Sequence, residues 1–164
     1  MIYRYAPFVS KGLLTLSGLL LAIAAAAHAA TLYYGPSAYG FMGAGPDMVR
    51  KSLQGDWHPA AIIGGIGLVL LAGAYCALAG ARLLPRLPLP ALRLFLFTVT
   101  ALLLGRGAIG IFLLTLLRLN GVHMETLYIA GLGGSFSFWI WSSTLCLLLG
   151  GLQLAATSLS RDLY

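Results

Sequence analysis

The sequence predicts an all-α fold, a four-helix bundle integral to a membrane, and three observations carry that prediction. Of 164 residues, 60% are hydrophobic and only 9% are charged, against roughly 25% charged in a soluble domain. The mean hydropathy of +0.92 leaves too little polar surface to coat a water-soluble globule. Four apolar segments, residues 13–32, 60–81, 94–117 and 138–159, each reach the roughly 20 residues a helix needs to cross a hydrocarbon core. One membrane domain over residues 1–164 is the economical reading.

The first span also offers a second reading. Residues 1–29 resemble a cleavable leader, with Ala27, His28 and Ala29 as a small-x-small site. Its apolar stretch exceeds the usual 7–15 residue leader core, so a retained span is expected. The loop 33–59 follows, punctuated by Gly-Pro pairs at 35–36 and 45–46. Between Pro46 and Leu53 a short helix is expected, with Pro46 in its first turn. Met48, Val49 and Leu53 would share one face of it, and it could rest on the membrane surface as a lid. The second span is rich in small residues, Gly64, Gly65, Gly67, Gly73 and Ala77, which allow close backbone approach.

The linker 82–93 reads RLLPRLPLPALR, and its three prolines are expected to stop the second helix and delay the third. The third span reads LFLFTVTALLLGRGAIGIFLLTLL, with Arg106 at its middle and Gly105, Gly107 and Gly110 around it. A second long loop, 118–137, leads to the fourth span, which carries Gly150 and Gly151. Cys76 and Cys146 lie roughly 24 Å and 12 Å below the outer ends of their helices at 1.5 Å per residue. That separation is too great for a disulfide, so both are expected as free thiols.

Charge sets the orientation. Arg4, Lys11, Arg82, Arg86, Arg93 and Arg161 fall on one side with a single acid, Asp162. Arg50, Lys51 and Arg118 fall on the other, balanced by Asp47, Asp56 and Glu125. The basic side is cytoplasmic by the positive-inside rule, which places both termini inside and both long loops outside. Tyr33, Tyr34, Tyr39, Trp57, Tyr128, Phe136, Phe138, Trp139 and Trp141 crowd the outer boundary, and Tyr3, Tyr5 and Phe8 mark the inner one. The net charge of +6 is spread along the chain without a dense basic stripe, so nucleic acid is not an expected partner.

Arg106 is the best pointer to function, because a charge at bilayer depth is costly and none of the four spans holds an Asp or Glu to answer it. Its candidate acceptors are Ser142, Ser143 and Thr144 on the fourth span, Thr100 on its own, freed carbonyls, water, a loop acid if the outer loop folds inward, or an anionic ligand or lipid headgroup suited to its planar fork. It serves equally as a staple between the last two helices that snorkels outward. His28, His58 and His123 all fall on the outer side, but no HxxxH or HxxE pairing occurs among them. No metal site is predicted, and no cofactor, with haem or a quinone left open. There is no GxSxG, HExxH, Walker-type loop or paired intramembrane carboxylate.

Two stretches carry a resemblance: residues 74–110 and residues 138–157. Within them, Tyr75, Ala77, Gly80 and Ala81 end the second span, and Arg86, Leu87, Pro88 and Leu89 form the linker. Arg106 and Gly107 make an RG pair, and Trp141, Ser142, Ser143, Cys146 and Leu147 open the fourth span. Over about a third of the chain this resembles a group of small, uncharacterised four-span inner-membrane proteins of Gram-negative bacteria. The resemblance implies the architecture and a bacterial inner membrane, and pairs Arg106 with the Trp141–Ser143 segment; it implies no activity. Members often carry a histidine where this chain has Gln153, a departure that weakens a haem site on the fourth helix.

The leading expectation is therefore a small binding or accessory module, more a binder than an enzyme. It would hold a lipid-like or anionic ligand at Arg106, His28, Ser142 and Ser143. Membrane lipids are expected partners, with a homo-oligomer or a larger membrane complex as further ones. A transport or export component, and a membrane enzyme using an outer histidine as base on a lipid-soluble substrate, are the alternatives. The orientation is directly checkable. A reporter active only in the cytoplasm is expected to work when fused after Tyr164 and to fail when inserted in the 33–59 loop; the opposite pattern would invert the topology.

Overall fold

The computed structural model describes residues 6–85, 89–121 and 136–159. Six helices run through them: α1 (Ala6–Tyr34), α2 (Pro36–Phe41), α3 (Pro46–Leu53), α4 (His58–Gly80), α5 (Leu89–Leu119) and α6 (Phe136–Leu159). Four are long and apolar enough to cross a membrane, over Phe8–Tyr34, His58–Gly80, Ala91–Leu119 and Phe138–Leu159. The chain is a multi-pass membrane protein folded as an all-α four-helix bundle. Residues 122–135, with His123, Glu125 and Tyr128, lie outside the described residues, as do Arg4, Arg86, Arg161 and Asp162.

Helices run further than their apolar cores. Lys11 lies inside α1 and Arg93 inside α5, because a helix is held by backbone bonds that a charged residue at the interface does not interrupt. The expected delay of the third long helix is accordingly shorter than the linker suggested. Pro90 sits in the first turn of α5, where its missing N–H removes no intrahelical bond. The expected helix over 46–53 is present as α3, and α2 is an addition to the sequence reading, started by Pro36 after Gly35 at φ 69°. The end of α4 is set by Arg82, not by Gly80. Arg82 adopts φ 63°, its N–H donates to Ala79 O at 3.0 Å, and Leu83 N–H reaches back to Leu78 O at 2.9 Å. These are the two bonds of a Schellman cap, formed here around a non-glycine residue. The Tyr75 hydroxyl donates to Pro85 O at 3.0 Å and ties the following turn onto α4.

The long helices form a ring in which α1 packs on α4 and α6, and α5 packs on α6 and α4. Neighbours are antiparallel: Ser10 Oγ near the start of α1 donates to Ala156 O near the end of α6 at 3.3 Å. Lys11, Arg82 and Arg93 consequently stand at one end of the bundle, with α2, α3 and Arg118 at the other. Two apolar clusters fill the interior. One gathers Leu14, Cys76, Ala77, Leu92, Leu96 and Ala156; the other gathers Leu21, Ala74, Val99, Leu103 and Leu149. Both cysteines are free. The outside is as apolar as the inside: Ile23, Leu68, Phe112 and Leu148 are each 66% to 68% exposed, as lipid-facing positions should be.

The seams depend on missing side chains. A Cβ on Gly18 would meet Leu78 at 2.8 Å, and one on Gly150 would meet Leu104 Cδ2 at 2.8 Å. At Gly107 of α5 the neighbour is main chain: a Cβ would lie 2.8 Å from the backbone oxygen of Ser143, and 2.6 Å from Leu147 Cγ. Gly105, two residues away, has nothing within 4 Å of its Cβ position. Gly107→Ala is expected to push α5 from α6 and to destabilise by about 1–3 kcal/mol. Gly105→Ala should stabilise slightly, by up to ~1 kcal/mol, through helix propensity alone. Thermal unfolding in detergent distinguishes them, and equal effects would refute the seam as drawn.

Candidate functional site

Arg106 lies near the middle of α5, roughly 20 Å along the axis from its carboxyl end. The chain's four acids are Asp47, Asp56, Glu125 and Asp162, so none stands on a span beside it. Its Nη1 donates instead to Ser143 Oγ on α6 at 3.1 Å. The guanidinium carbon sits 4.5 Å from the centroid of the Trp139 ring. Trp139 and Ser143 are four residues apart, so one face of α6 presents both. A Cβ on Gly110 would collide with Ser143 Oγ and lie 2.6 Å from Arg106 Nη1. The guanidinium is thus laid outward along α5, over the position a side chain at 110 would occupy.

Arg106 is exposed, not buried between helices, because Gly107 and Gly110 bring α5 and α6 too close to leave room for it within the seam. It rests on the seam's outer edge, while Ser143 beneath it is fully buried. A hydrogen bond from a charged group contributes about 1.5–3 kcal/mol, and a cation–π contact ~0.5–2 kcal/mol. Together they approach the ~2.5–3.5 kcal/mol that insertion measurements assign to a mid-membrane arginine. Among the described residues only Nη1 is used in this way, and the fork's other donors face no described acceptor.

The other expected site residues distribute unevenly. Ser142 Oγ donates to Trp139 O on its own helix at 3.2 Å, and the Thr100 hydroxyl to Leu96 O at 2.7 Å. His28 stands on the α1–α4 seam, its Cβ 3.3 Å from where one on Gly67 would lie. Its Nδ1 donates to Ala24 O at 2.9 Å, so this ring belongs to a different seam from Arg106. Trp139 was not among the expected site residues, although its i, i+4 spacing to Ser143 was a signal in the sequence.

The α2–α3 cap lies over the same end of the bundle. Gly43, at φ 79°, packs directly on the Phe138 ring, next in sequence to Trp139. Tyr39, expected at the membrane boundary, is buried in the cap. On α3, Met48 and Val49 are half-buried, but Leu53 is exposed, so the three do not act as one buried face. The cap's acids are engaged locally. Asp47 pairs with Arg50 and, at 3.1 Å, with Lys51; the Lys51 hydrogen bond foremost holds its carboxyl below the ordinary 3.8. Asp56 accepts from the His58 backbone N–H at 3.0 Å and lies 2.6 Å from His58 Nδ1. The backbone bond, then the side-chain one, lowers its pKa in turn. Among the described residues no group of three or more His, Cys, Asp or Glu could hold a metal ion.

Compared with known protein families, curated proteins and solved structures, the chain matches none.

Because Asp56 is more acidic folded than unfolded, its hold on the start of α4 is complete above pH 3.8 and is lost as the pH falls through its lower folded value. The His58 backbone amide resonance should follow that acid titration, and Asp56→Asn should remove it. A resonance that stays fixed to pH ~2 would show that Asp56 does not cap α4.

Proposed function

We propose that this protein is a small membrane module that binds the anionic headgroup of a lipid or similar amphiphile at Arg106, on the outer edge of the α5–α6 seam. The observation that carries this reading is an exposed guanidinium within an apolar helix, answered among the described residues by a neutral hydroxyl and an aromatic ring. Trp139 lies in the first turn of α6, roughly 5 Å from its start. The guanidinium, between Trp139 and Ser143, is thus roughly 5–10 Å below the start of α6, within reach of a headgroup that enters along the seam. A phosphate or carboxylate arriving laterally from the bilayer could accept two parallel N–H bonds from the free edge of the fork. Ser143 would hold the other edge, and Trp139 would shield the pair from acyl chains.

The setting we assign is a bacterial inner membrane with the basic end in the cytoplasm, which the charge asymmetry and the family resemblance support. His28 takes no part in this version of the site. An accessory role within a larger membrane complex is compatible with it, the lipid then being part of the interface.

The test is native mass spectrometry of the full chain in nanodiscs of phosphatidylglycerol or phosphatidylcholine. The wild type is expected to retain phosphatidylglycerol preferentially. Arg106→Gln should weaken that retention by about tenfold or more, the equivalent of one lost charge-assisted contact, and Arg106→Lys should weaken it less. Equal retention by wild type and Arg106→Gln, with matched thermal midpoints, would overturn the proposal and leave Arg106 as a staple between helices.

A further inference from the structure

Between the two apolar clusters lies a layer of polar side chains. On α1, Ser17 stands between Leu14 and Leu21; on α5, Thr100 stands between Leu96 and Leu103; on α6, Gln153 stands between Ala156 and Leu149. Ser17 and Gln153 are both 0% exposed. The Gln153 amide is fixed in orientation, because its Nε2 donates to Leu96 O at 3.4 Å and a carbonyl can only accept. Among the described residues its Oε1 is then left as a buried acceptor with no partner, and Ser17 Oγ is likewise unpartnered.

Ser17 is the informative member. Hydroxyls on these helices ordinarily donate back to the carbonyl four residues earlier: Thr15 to Lys11 at 2.9 Å, Thr31 to Ala27 at 2.8 Å, Thr98 to Leu94 at 2.8 Å and Thr100 to Leu96 at 2.7 Å. Ser17 forgoes that bond and is not answered elsewhere. Seven residues earlier on the same face, Ser10 also leaves its own backbone, and it does so to bond Ala156 on α6. That bond sets the register of the two helices. From it, Ser17 lies roughly 10 Å further along α1 and Gln153 roughly 4–5 Å further along α6. The long Gln153 side chain leans onward in the same direction, toward the amino end of its helix. Both orphan oxygens thus belong to the polar layer between the two clusters, with roughly 5–6 Å of helix axis left for the Gln153 side chain and a bridging group to span.

We infer that Ser17 and Gln153 together bind a buried water molecule at the centre of the bundle. It donates one proton to Gln153 Oε1 and exchanges a second hydrogen bond with Ser17 Oγ, and the Thr100 oxygen offers a third contact at the same level. Two to four polar partners are what a buried water requires, and each orphan oxygen would otherwise remain unsatisfied in an apolar core. The water completes a tie across three helices, since Gln153 already holds α5 through Leu96 O. This layer is independent of Arg106.

Ser17→Ala, Gln153→Met and the double variant of the full chain test this by thermal unfolding in detergent, together with water-to-amide dipolar cross-peaks in NMR. Each single variant is expected to lower the midpoint by about 2–4 °C, and the double variant little more than either alone. The Gln153 side-chain amide should show a dipolar cross-peak to water that Ser17→Ala abolishes. A Ser17→Ala midpoint at or above wild type would mean that the hydroxyl had no partner to lose, and additive losses would mean that the two residues are not linked. Either result overturns the inference. Non-additivity with no water cross-peak would replace the water by a direct Ser17–Gln153 bond. If Gln153→Met does not fold, Ser17→Ala and the cross-peak decide alone.

Discussion

The close approach of α5 and α6 at Gly107 and Gly110 governs most of what surrounds it. With a backbone oxygen of Ser143 2.8 Å from where a Cβ at 107 would stand, the helices meet main chain to main chain. Lipid offers apolar segments no hydrophobic reason to associate, so packing of this kind has to supply the attraction. The same closeness excludes a side chain as large as arginine from the seam. Arg106 is displaced to its edge, where Ser143 and Trp139, one turn apart on α6, receive it. An arginine buried at the centre of the ring would have needed a counter-charge that no span provides.

Polar side chains within the bundle follow two patterns, and the difference has structural meaning. Most hydroxyls bond their own helix, which satisfies them locally and leaves the helix free to pack by shape alone. A few turn across to a neighbour: Ser10 to Ala156, Gln153 to Leu96, Arg106 to Ser143. Each of these bonds ends on or starts from α6, so each ties the register of a neighbour to that helix. A membrane interior penalises an unmet polar group, so such bonds discriminate between registers more sharply than leucine and alanine contacts do.

The cap formed by α2 and α3 joins the bundle to its outer surface. Its charged residues pair among themselves within a turn or two, and Asp56 spends its carboxylate on the first turn of α4. The acids nearest to Arg106 in the described cap are therefore committed locally, and the contact of Gly43 with Phe138 brings the cap to α6 beside Trp139 without bringing a counter-ion. The exposed ion pairs of α3 are of the kind that contributes little to stability; the cap is positioned by Tyr39, Gly43 and the short helices themselves.

The four spans, the short helix over 46–53 and the absence of any acid from the spans could be read from the chain alone, because hydropathy, proline placement and the positions of carboxylates are properties of local sequence. Helix ends were less legible. Lys11, Arg93 and Pro90 lie inside helices, and Arg82 rather than Gly80 adopts the left-handed conformation at the end of α4, since backbone bonding and not apolarity decides where a helix stops. Ser143 was foreseeable as one hydroxyl among several. Which hydroxyl receives Arg106, that Trp139 covers it, that His28 belongs to another seam, and that Ser17 and Gln153 are both turned into the core depend on how the helices are rotated. Glycine and alanine are distributed around every span, so the sequence permits many rotations with similar apolar contact. Only the assembled bundle, through the places where main chain meets main chain, selects one.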